Sequence, residues 1–343
     1  MIEFRHSGTA VRLPAGESYA TPAGGSYRDT PENELRAVIR EVESGVPWRA
    51  AVRAHYGEKS PWLTRIVTDP SRDLFIRLHP PPSGARILDV GAGWGQLTLP
   101  LAVKHQVTAL EPTPERLSFI RAASAQEGVA DRIHFVQADL LDLEFGTKFD
   151  LALCIGVLEW VPKFRPGEPR LVQVDFLKRV RESVAPGGAL VLGIENRIGL
   201  KYLLGARDDH LGVPGVAVLD FAEADRRWRA LKGEPMRTLT HTRVELARML
   251  EAAGFAVAGC YAAFPDYKLP QIVLNAGKEV DDYFERGNFV PEHDGIDGSA
   301  LPFQGELRSH YRSLAALQIA TEFAPSYFVV AHPFREQLNT LQP

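Results

Sequence analysis

The sequence predicts an α/β fold, in which a mostly parallel sheet is covered by helices on both faces. Short apolar runs alternate with segments of helical periodicity, the pattern expected for strands buried on both faces. Five runs are predicted as strands, and they are ARILDV, HQVTALE, IHFVQAD, FDLALCI and GALVLGI. Helices after Gly95, Pro114 and Val172 separate most of them. The composition agrees, because 343 residues with 45% apolar and 24% charged side chains suffice for a large core.

The N-terminal part is predicted to add helices before the sheet begins. Residues 1–29 are rich in Gly, Ser, Thr and Pro and are expected to form an arm over the body. Thr30 is predicted to cap a first helix, a second begins near Trp48, and a third runs over 62–78. The string HPPPSGA then breaks any helix. Residues 1–80 are therefore predicted as an N-terminal arm and helical cap.

The C-terminal part is predicted to complete the sheet and to carry further covering segments. A helix is expected from Thr242, with Glu245 completing a capping box, and it ends at Gly254. The run FAVAGCYAAF follows as another strand. Residues 81–343 are predicted as the main domain, with insertions at about 197–240 and 270–320.

Charge and apolar patterning exclude several classes of partner. The net charge of −4 provides no general attraction to nucleic acid or to an anionic membrane. The N-terminal residues lack an apolar signal core, and no later stretch has about 18 uninterrupted apolar residues. We therefore expect a cytoplasmic protein without membrane insertion. Cys154 and Cys260 both lie in apolar runs and are expected to be reduced core thiols.

A glycine-rich turn follows the first strand of the predicted sheet. In an open parallel sheet, ligands bind at the carboxyl ends of the strands. The first of these ends reads DVGAGWGQ, in which Asp89 precedes Gly91, Gly93 and Gly95. Glycines allow the backbone to approach a ligand closely. The spacing is G-x-G-x-G, whereas dinucleotide-binding proteins carry G-x-G-x-x-G, and this difference disfavours a nicotinamide-dependent oxidoreductase.

Acidic residues end the next two strands of the series. Glu111 lies about twenty residues after the glycine-rich turn, where a carboxylate can accept both hydroxyls of a ribose. Asp139 and Leu140 follow the third strand, where an acid can accept from an exocyclic amine. Three such features in order, each at a strand end, indicate a nucleoside-containing cofactor.

The run from Arg86 to Trp160 resembles the class I S-adenosylmethionine-dependent methyltransferases. The resemblance implies a Rossmann-like, mostly parallel sheet of seven strands and S-adenosylmethionine as the cofactor. By this resemblance, Gly91, Gly93 and Gly95 would border the methionine part of the cofactor. Glu111 would bind the ribose, and Asp139 with Leu140 would hold the adenine. Asp89 would orient the loop and the amino group of the cofactor.

Four further motifs resemble a subgroup of bacterial methyltransferases that is associated with surface-polysaccharide biosynthesis. These motifs are GVLEW, IENRIGLKYLLGARDDHLG, FPDYKLP and EFAPSYFVVA. Relatives usually carry Asn where Ala324 or Pro325 stands in the last motif. This resemblance implies a saccharide or saccharide-like acceptor. The candidate substrate-binding residues all lie in these motifs and are Trp160, Asn196, Arg197, Lys201, Tyr202, Asp266, Tyr267 and Lys268.

The segment that follows the fifth strand is predicted to carry the chemistry. Because this strand ends beside the earlier cofactor residues, Glu195 and the residues up to His210 lie on the same rim. Methylation of a hydroxyl needs a base, and Glu195 or His210 is predicted to act as one, with Asp209 and Asp266 as further candidates. No metal is expected, although Asp208, Asp209 and His210 form an alternative set of ligands.

The sequence therefore predicts an enzyme that transfers a methyl group to a hydroxyl, or alternatively an amine, of a saccharide-like small molecule. A methyltransferase of another natural product shares the fold and remains open. A protein that binds S-adenosylmethionine without turnover is the alternative from a different class. The expected partner is a small-molecule or glycan acceptor, and the pattern carries no information on oligomeric state.

Overall fold

The fold comes from a computed structural model that describes residues 1–21, 25, 27–293 and 301–334. Small parts of the predicted arm and of the second insertion lie outside the described residues. The strands are β1 Ile2–His6, β2 Thr9–Leu13, β3 Ser18–Ala20, β4 Arg86–Val90, β5 Gln106–Leu110, β6 Ile133–Gln137, β7 Leu143–Phe145, β8 Phe149–Ile155, β9 Val184–Glu195, β10 Phe255–Phe264, β11 Ile272–Asn275 and β12 Ser326–Pro333. The helices are α1 Glu32–Glu43, α2 Trp48–Tyr56, α3 Pro61–Thr68, α4 Thr98–Ala102, α5 Pro114–Gln126, α6 Pro169–Ser183, α7 Leu200–Leu203, α8 Phe221–Lys232, α9 Arg243–Ala252, α10 Lys278–Glu285 and α11 Leu307–Ala316.

The main sheet has the strand order β11-β10-β12-β9-β8-β4-β5-β6-β3. The six strands from β9 to β3 are parallel to their neighbours, and β12 runs antiparallel between β9 and β10. The predicted α/β class and Rossmann-like sheet are confirmed. Seven strands, from β10 to β6, correspond to the predicted sheet. The prediction missed one short strand at each edge, so the sheet has nine strands.

Side chains that alternate along the strands build a core on each face of the sheet. On β4, Ile87 packs into the cluster on one face and Leu88 into the cluster on the other. Both side chains are buried, as are those of Val107 and Leu110 on β5. Burial on both faces explains why these strands are almost continuously apolar in sequence. It also leaves the carboxyl ends of the strands as the place where polar groups can gather.

The described part of the predicted N-terminal arm contains three β-strands. Strand β1 pairs antiparallel with β2 and with β7, and β3 adds to the edge of the main sheet beside β6. Ile2 and Phe4 point inward, and the Phe4 ring lies 5.0 Å from Tyr19 and 5.7 Å from Phe145. The composition of this segment concealed the strands, because glycine and proline occupy their turns.

Prolines shift the boundaries of the predicted N-terminal helices. The first helix begins at Glu32, where Pro31 occupies the cap position and no side chain caps it, so the predicted role of Thr30 is wrong. The third predicted helix is split, because Pro70 cannot continue the hydrogen-bond pattern of α3. A 3₁₀ helix follows over Pro70–Leu78, capped by the Asp69 carboxylate, which accepts from the Ser71 backbone N–H.

The predicted capping box of α9 is confirmed. Thr242 Oγ1 accepts from the Glu245 backbone N–H at 3.2 Å, and Glu245 Oε2 accepts from the Thr242 N–H at 2.9 Å. Gly254 follows the helix with a φ of +86°, a conformation that a residue with a Cβ adopts only at a cost. Among the described residues, no helix combines the length and apolarity that crossing a membrane requires.

The buried His241, in the segment before α9, contacts Gln173 of α6. Gln173 in turn contacts the segment that follows β8. Gln173 donates through Nε2 to the carbonyls of Leu158 and Leu239, so its Oε1 is left to accept. His241 Nε2 lies 2.8 Å from this Oε1 and therefore carries the ring proton. Burial lowers the pKa of His241 to about 4, because the imidazolium loses its hydration.

We expect His241 to make folding stability depend on pH. The unfolded chain binds a proton with a pKa near 6.5, whereas the folded protein resists it down to about 4. Stability is therefore fully present above the unfolded value and is lost as the pH falls toward 4. Between about pH 7.5 and about pH 5, this residue should account for a loss of about 2 kcal/mol in unfolding free energy.

Urea unfolding of wild type, His241→Gln and the exposed-site control His310→Gln at both pH values measures this contribution. When the pH falls from about 7.5 to about 5, the unfolding free energy of His241→Gln should decrease by about 2 kcal/mol less than that of wild type or His310→Gln. Equal pH dependence of all three would show that His241 does not resist protonation in the fold.

Candidate active site

Two adjoining spaces open at the carboxyl ends of the parallel strands. A narrow pocket of about 110 Å³ lies over the ends of β4, β5 and β6. A cavity of about 740 Å³ lies over the ends of β4, β8 and β9 and extends toward α3. The two spaces share lining residues, which are Tyr27, Gly91, Arg116, Gly156, Trp160 and Phe164. A ligand in the pocket can therefore present one end to the cavity.

The glycine-rich loop forms the floor where the two spaces join. Gly91 has a φ of +68°, and a Cβ there would lie 2.5 Å from Val157 Cγ2. The Gly93 backbone N–H donates to Glu111 Oε2 at 2.9 Å, and Glu111 Oε1 accepts from Thr113 N–H at 2.9 Å. Glu111 thus braces the loop and also lines the narrow pocket. This bracing role was not predicted from the sequence.

Asp139 and Leu140 lie at the opposite wall of the narrow pocket. Asp139 Oδ1 accepts from Leu141 N–H at 2.8 Å, and Oδ2 pairs with Arg165 Nε at 3.0 Å. Leu140 is buried beside this carboxylate. Apolar side chains close the rest of the pocket, and they are Val90, Leu110, Val157, Val161, Phe164 and Phe176. A flat apolar ring with polar edges fits such a slot.

Asp89 and Gly95 lie behind the loop and do not line either space. Asp89 is buried and accepts from Thr98 Oγ1 at 2.6 Å, which links β4 to the start of α4. Burial raises the pKa of Asp89 to about 6, although the Thr98 hydrogen bond opposes the shift. The Gly95 backbone packs against Ile120. Both residues shape the loop from beneath.

Aromatic and charged residues from the N-terminal part cover the junction of the two spaces. The Tyr27 ring lies 4.3 Å from the ring of Trp160, and the guanidinium of Arg116 lies 5.3 Å above Tyr27. Arg116 also pairs with Asp29 at 2.7 Å. Trp62 of α3 lines the cavity farther from the loop.

Three ionisable side chains from three different segments meet in the cavity. Glu159 follows β8, Glu195 ends β9, and His210 comes from the loop after α7. His210 Nε2 lies 3.3 Å from Glu195 Oε2 and 3.6 Å from Glu159 Oε1. Lys268 Nζ pairs with the other oxygen of Glu195, and it lies 3.3 Å from Asp266 Oδ2.

Burial and mutual charge shift the pKa values of this group in opposite directions. Burial and the neighbouring Glu195 raise the pKa of Glu159. Burial also opposes ionisation of Glu195, but Lys268 and His210 outweigh it and hold the pKa of that carboxyl well below its usual range. Burial disfavours the imidazolium of His210, yet Glu195 and Glu159 raise its pKa well above the ordinary value.

A second pair of opposite charges lies beside this group. Lys201 Nζ donates to Asp209 Oδ2 at 2.6 Å, and both side chains face the cavity. Asp208 points away, because its Oδ1 accepts from the backbone N–H groups of His210 and Leu211 at 2.8 and 2.7 Å. Asp208, Asp209 and His210 therefore do not converge on one point, and the predicted alternative set of metal ligands is wrong.

Arg72 fixes the segment that carries Lys268. Its Nη1 donates to the carbonyl of Lys268 at 2.6 Å and to that of Tyr267 at 3.3 Å. The side chain is buried and lines the cavity, and burial lowers the pKa of its guanidinium. Neither Arg72 nor Glu159 was predicted as a site residue. Glu159 was recognisable, since it follows the carboxyl end of a parallel strand within the GVLEW motif.

The comparison with protein families identifies the part of the chain that builds the cofactor side of the site. Residues 87–188 match a family described as a methyltransferase domain. This part of the chain is therefore similar to a methyltransferase domain. S-adenosylmethionine is the cofactor of this domain, as the sequence predicted. The matched residues include the glycine-rich loop, Glu111, Asp139 and Glu159.

Known proteins similar to the chain include O-methyltransferases. The ubiquinone biosynthesis O-methyltransferase of Xanthomonas axonopodis is 31% identical over 137 residues, which cover 40% of this chain and 54% of that protein. The mitochondrial enzyme of the same name from Schizosaccharomyces pombe is 32% identical over 124 residues, covering 36% and 42%. The chain thus spans about half the length of these relatives or less. The structure of the CcbJ methyltransferase from Streptomyces caelestis has a TM-score of 0.46 and 14% identity, covering 78% of this chain and 96% of that one.

The lining of the narrow pocket is compatible with one part of S-adenosylmethionine, and the rest of the cofactor would extend into the adjoining cavity. Gly91 leaves a space beside Val157 that any Cβ would fill, so the backbone can approach a ligand there. Glu111, Asp139 and Leu140 all line this pocket. Following the sequence-based prediction, Glu111 would hold the ribose, and Asp139 with Leu140 would hold the adenine between the apolar walls. When bound, the cofactor supplies an electrophilic methyl group attached to a positively charged sulfur.

Three residues predicted to bind the acceptor lie outside the cavity. Arg197 pairs with Glu245 at 2.8 Å and donates to the Leu219 carbonyl, while Tyr202 is buried in the core. Asn196 is also fully buried. These predictions are corrected, because polar residues next to the rim were assigned to the acceptor without knowledge of which way they point. The other candidates do line the cavity, and they are Trp160, Lys201, Asp266, Tyr267 and Lys268.

Asn196→Ala is expected to destabilise the fold without affecting acceptor binding. Asn196 Nδ2 contacts the carbonyls of Glu322 and Ala324, each at 2.8 Å, and the hydroxyl of Tyr327 at 3.1 Å. Removing it leaves buried acceptors unpaired, at a cost of about 2 to 4 kcal/mol in unfolding free energy. Chemical unfolding measures this loss, with the exposed Asn275→Ala as the control. An unchanged stability together with a raised KM for the acceptor would restore the original assignment.

Proposed function

We propose that the protein transfers the methyl group of S-adenosylmethionine to a hydroxyl group of a small polar acceptor, of the saccharide or saccharide-like class. The observation that carries the proposal is the large cavity that continues from the cofactor pocket. It is wide enough for a sugar-sized molecule, and its lining combines Gly91 and Gly93 of the glycine-rich loop with several ionisable side chains. The O-methyltransferase names of the two curated relatives support an oxygen as the methylated atom.

The lining of the cavity supports a polar acceptor. Lys201, Asp209, Asp266 and Lys268 provide charged donors and acceptors for hydroxyl groups. Trp62 and Trp160 add aromatic faces against which the apolar face of a sugar ring can pack. The resemblance of four motifs to methyltransferases of surface-polysaccharide biosynthesis agrees with this combination. Residues 1–80 serve as the arm and cap over residues 81–343 in this proposal, since Tyr27, Trp62 and Arg72 contribute to the lining.

Methylation of a hydroxyl requires that its proton be removed as the new bond forms. The acceptor O–H bond breaks, an O–CH₃ bond forms, and the methyl–sulfur bond breaks with its electron pair remaining on sulfur. The group formed by Glu159, Glu195 and His210 lies at the point of the cavity nearest the end of β9, where it can receive this proton. Holding the hydroxyl there in line with the methyl group supplies a further part of the rate acceleration.

A second candidate is O-methylation of a phenol, which the names of the ubiquinone-biosynthesis relatives favour. Their similarity extends over 40% of this chain or less. A phenol with a long apolar tail would bury Lys201, Asp209, Asp266 and Lys268 against hydrocarbon, which is unfavourable. We therefore place the polar acceptor first.

The proposal is tested by measuring S-adenosylhomocysteine formation with a panel of acceptors. Nucleotide sugars, oligosaccharides, amino sugars blocked at the amine, and hydroxylated benzoates with and without prenyl chains cover both candidates. We expect turnover with a sugar hydroxyl, located by mass spectrometry of the methylated product. Turnover confined to phenols would establish the second candidate. Tight cofactor binding without turnover across a broad panel would favour a binding protein instead.

A further inference from the structure

The group formed by Glu159, Glu195 and His210 has the geometry of a metal site as well as that of a proton acceptor. One donor atom from each residue lies within 4.8 Å of the donor atoms of the other two. All three side chains are at most 5% exposed. They come from three separate segments of the chain. Glu159 follows β8, Glu195 ends β9, and His210 lies in the loop after α7.

The carboxylate oxygens of this group lack hydrogen-bond partners among the described residues. Neither Oε1 nor Oε2 of Glu159 has one, and neither does Oε2 of Glu195. A buried carboxylate without a partner is strongly unfavourable. The single Nε2–H of His210 can serve at most one of these three oxygens, so the group calls for a further positively charged or proton-donating ligand.

The separations between the donor atoms fit a shared ion. Metal–ligand bonds of about 2.0–2.2 Å place neighbouring donors about 3.0–3.4 Å apart in tetrahedral or octahedral geometry. His210 Nε2 lies 3.3 Å from Glu195 Oε2 and 3.6 Å from Glu159 Oε1, and the second distance is too long for a normal hydrogen bond. We propose that Glu159, Glu195 and His210 bind one divalent metal ion.

Two carboxylates and one imidazole indicate the class of ion. Oxygen ligands suit magnesium and manganese, whereas imidazole suits first-row transition metals, so manganese satisfies both preferences. The structure offers a competing set in Glu195, Asp209 and Asp266. That set is already neutralised, because Lys201 lies 2.6 Å from Asp209 and Lys268 lies 3.3 Å from Asp266. In the set with Glu159, Lys268 pairs with one oxygen of Glu195, but the other three carboxylate oxygens have no hydrogen-bond partner among the described residues.

In the proposed reaction, such an ion would bind the hydroxyl group of the acceptor. A hydroxyl that coordinates a divalent cation becomes more acidic and is held in a defined orientation. The remaining coordination positions face the cavity, since all three ligands line it. This consequence rests on the proposed function, whereas binding of the metal does not and can be measured without an acceptor.

The test is titration of Mn²⁺ into the full chain after removal of metals by a chelator, followed by electron paramagnetic resonance of the free and bound ion. We expect one bound ion per chain and a nitrogen coupling from His210 in the pulsed spectrum. Glu159→Gln should weaken Mn²⁺ binding by at least about tenfold. His210→Asn should abolish the nitrogen coupling. Asp266→Asn, a carboxylate-to-amide change in the competing set, should leave Mn²⁺ binding unchanged.

Several results would overturn the metal site. One such result is that wild type binds no more Mn²⁺ than Glu159→Gln does, with both proteins shown to be folded by circular dichroism. Binding abolished by Asp266→Asn but retained in Glu159→Gln would place the ion in the competing set. Turnover that persists in excess chelator without bound Mn²⁺ would reject the role of the ion in holding the acceptor and leave the proposed function standing. Bound Mn²⁺ with the expected nitrogen coupling, but no methylated acceptor, would support the site and count against the function.

Discussion

Glu195→Gln and His210→Ala should each lower turnover of the true acceptor by about 10²- to 10⁴-fold. Both changes remove a group that can receive the hydroxyl proton or hold the hydroxyl in place. Affinity for S-adenosylhomocysteine should be retained, because the residues proposed to bind the cofactor lie over β4, β5 and β6. Steady-state kinetics and calorimetry on the same preparations separate the two quantities.

A matched control is available on the surface of α11. His310 Nε2 lies 3.4 Å from Glu306 Oε2, and both side chains are exposed. Glu306→Gln and His310→Ala make the same chemical changes far from the cavity and should keep wild-type kinetics. If the Glu195 and His210 variants also turn over normally, this group does not activate the hydroxyl and positioning by the remaining lining residues must suffice.

Glu111→Ala should weaken binding of S-adenosylhomocysteine by about tenfold or more. Its carboxylate is in place to accept from ribose hydroxyls, and each charged hydrogen bond of this kind contributes roughly 1.5 to 3 kcal/mol. The structure adds a second cause, because the same carboxylate holds Gly93 and Thr113 at 2.9 Å each. Losing it would also loosen the glycine-rich loop.

Calorimetry measures this loss, and Glu144→Ala, at a side chain that is 63% exposed, is the control. The Glu111→Gln variant separates the loss of the ribose contact from the loosening of the glycine-rich loop. Its amide retains one acceptor oxygen, so one of the two backbone contacts can persist while the negative charge is lost. Unchanged affinity in a folded Glu111→Ala protein would reject both roles.

The cofactor side of the site could be predicted from the sequence because its features are local. In a parallel sheet every strand ends at the same rim, so Gly91, Glu111 and Asp139 are brought together by their positions alone. The periodicity of the apolar residues located six strands of the main sheet and the capping box of α9. Strands β1, β2 and β3 escaped prediction, because they are short and lie in a segment whose turns are rich in glycine and proline.

The acceptor side was decided by the tertiary structure. Sequence position placed Asn196 and Lys201 equally close to the rim, yet Asn196 points into the core and Lys201 points into the cavity. The sequence by itself determined an α/β sheet, a methyl-donor pocket and a polar segment after β9. Only the folded chain brings Glu159 into contact with Glu195 and His210. These residues lie after β8, at the end of β9 and after α7, so their charges interact only once the three segments have packed together. Side-chain direction and long-range contact depend on packing, which no local spacing encodes.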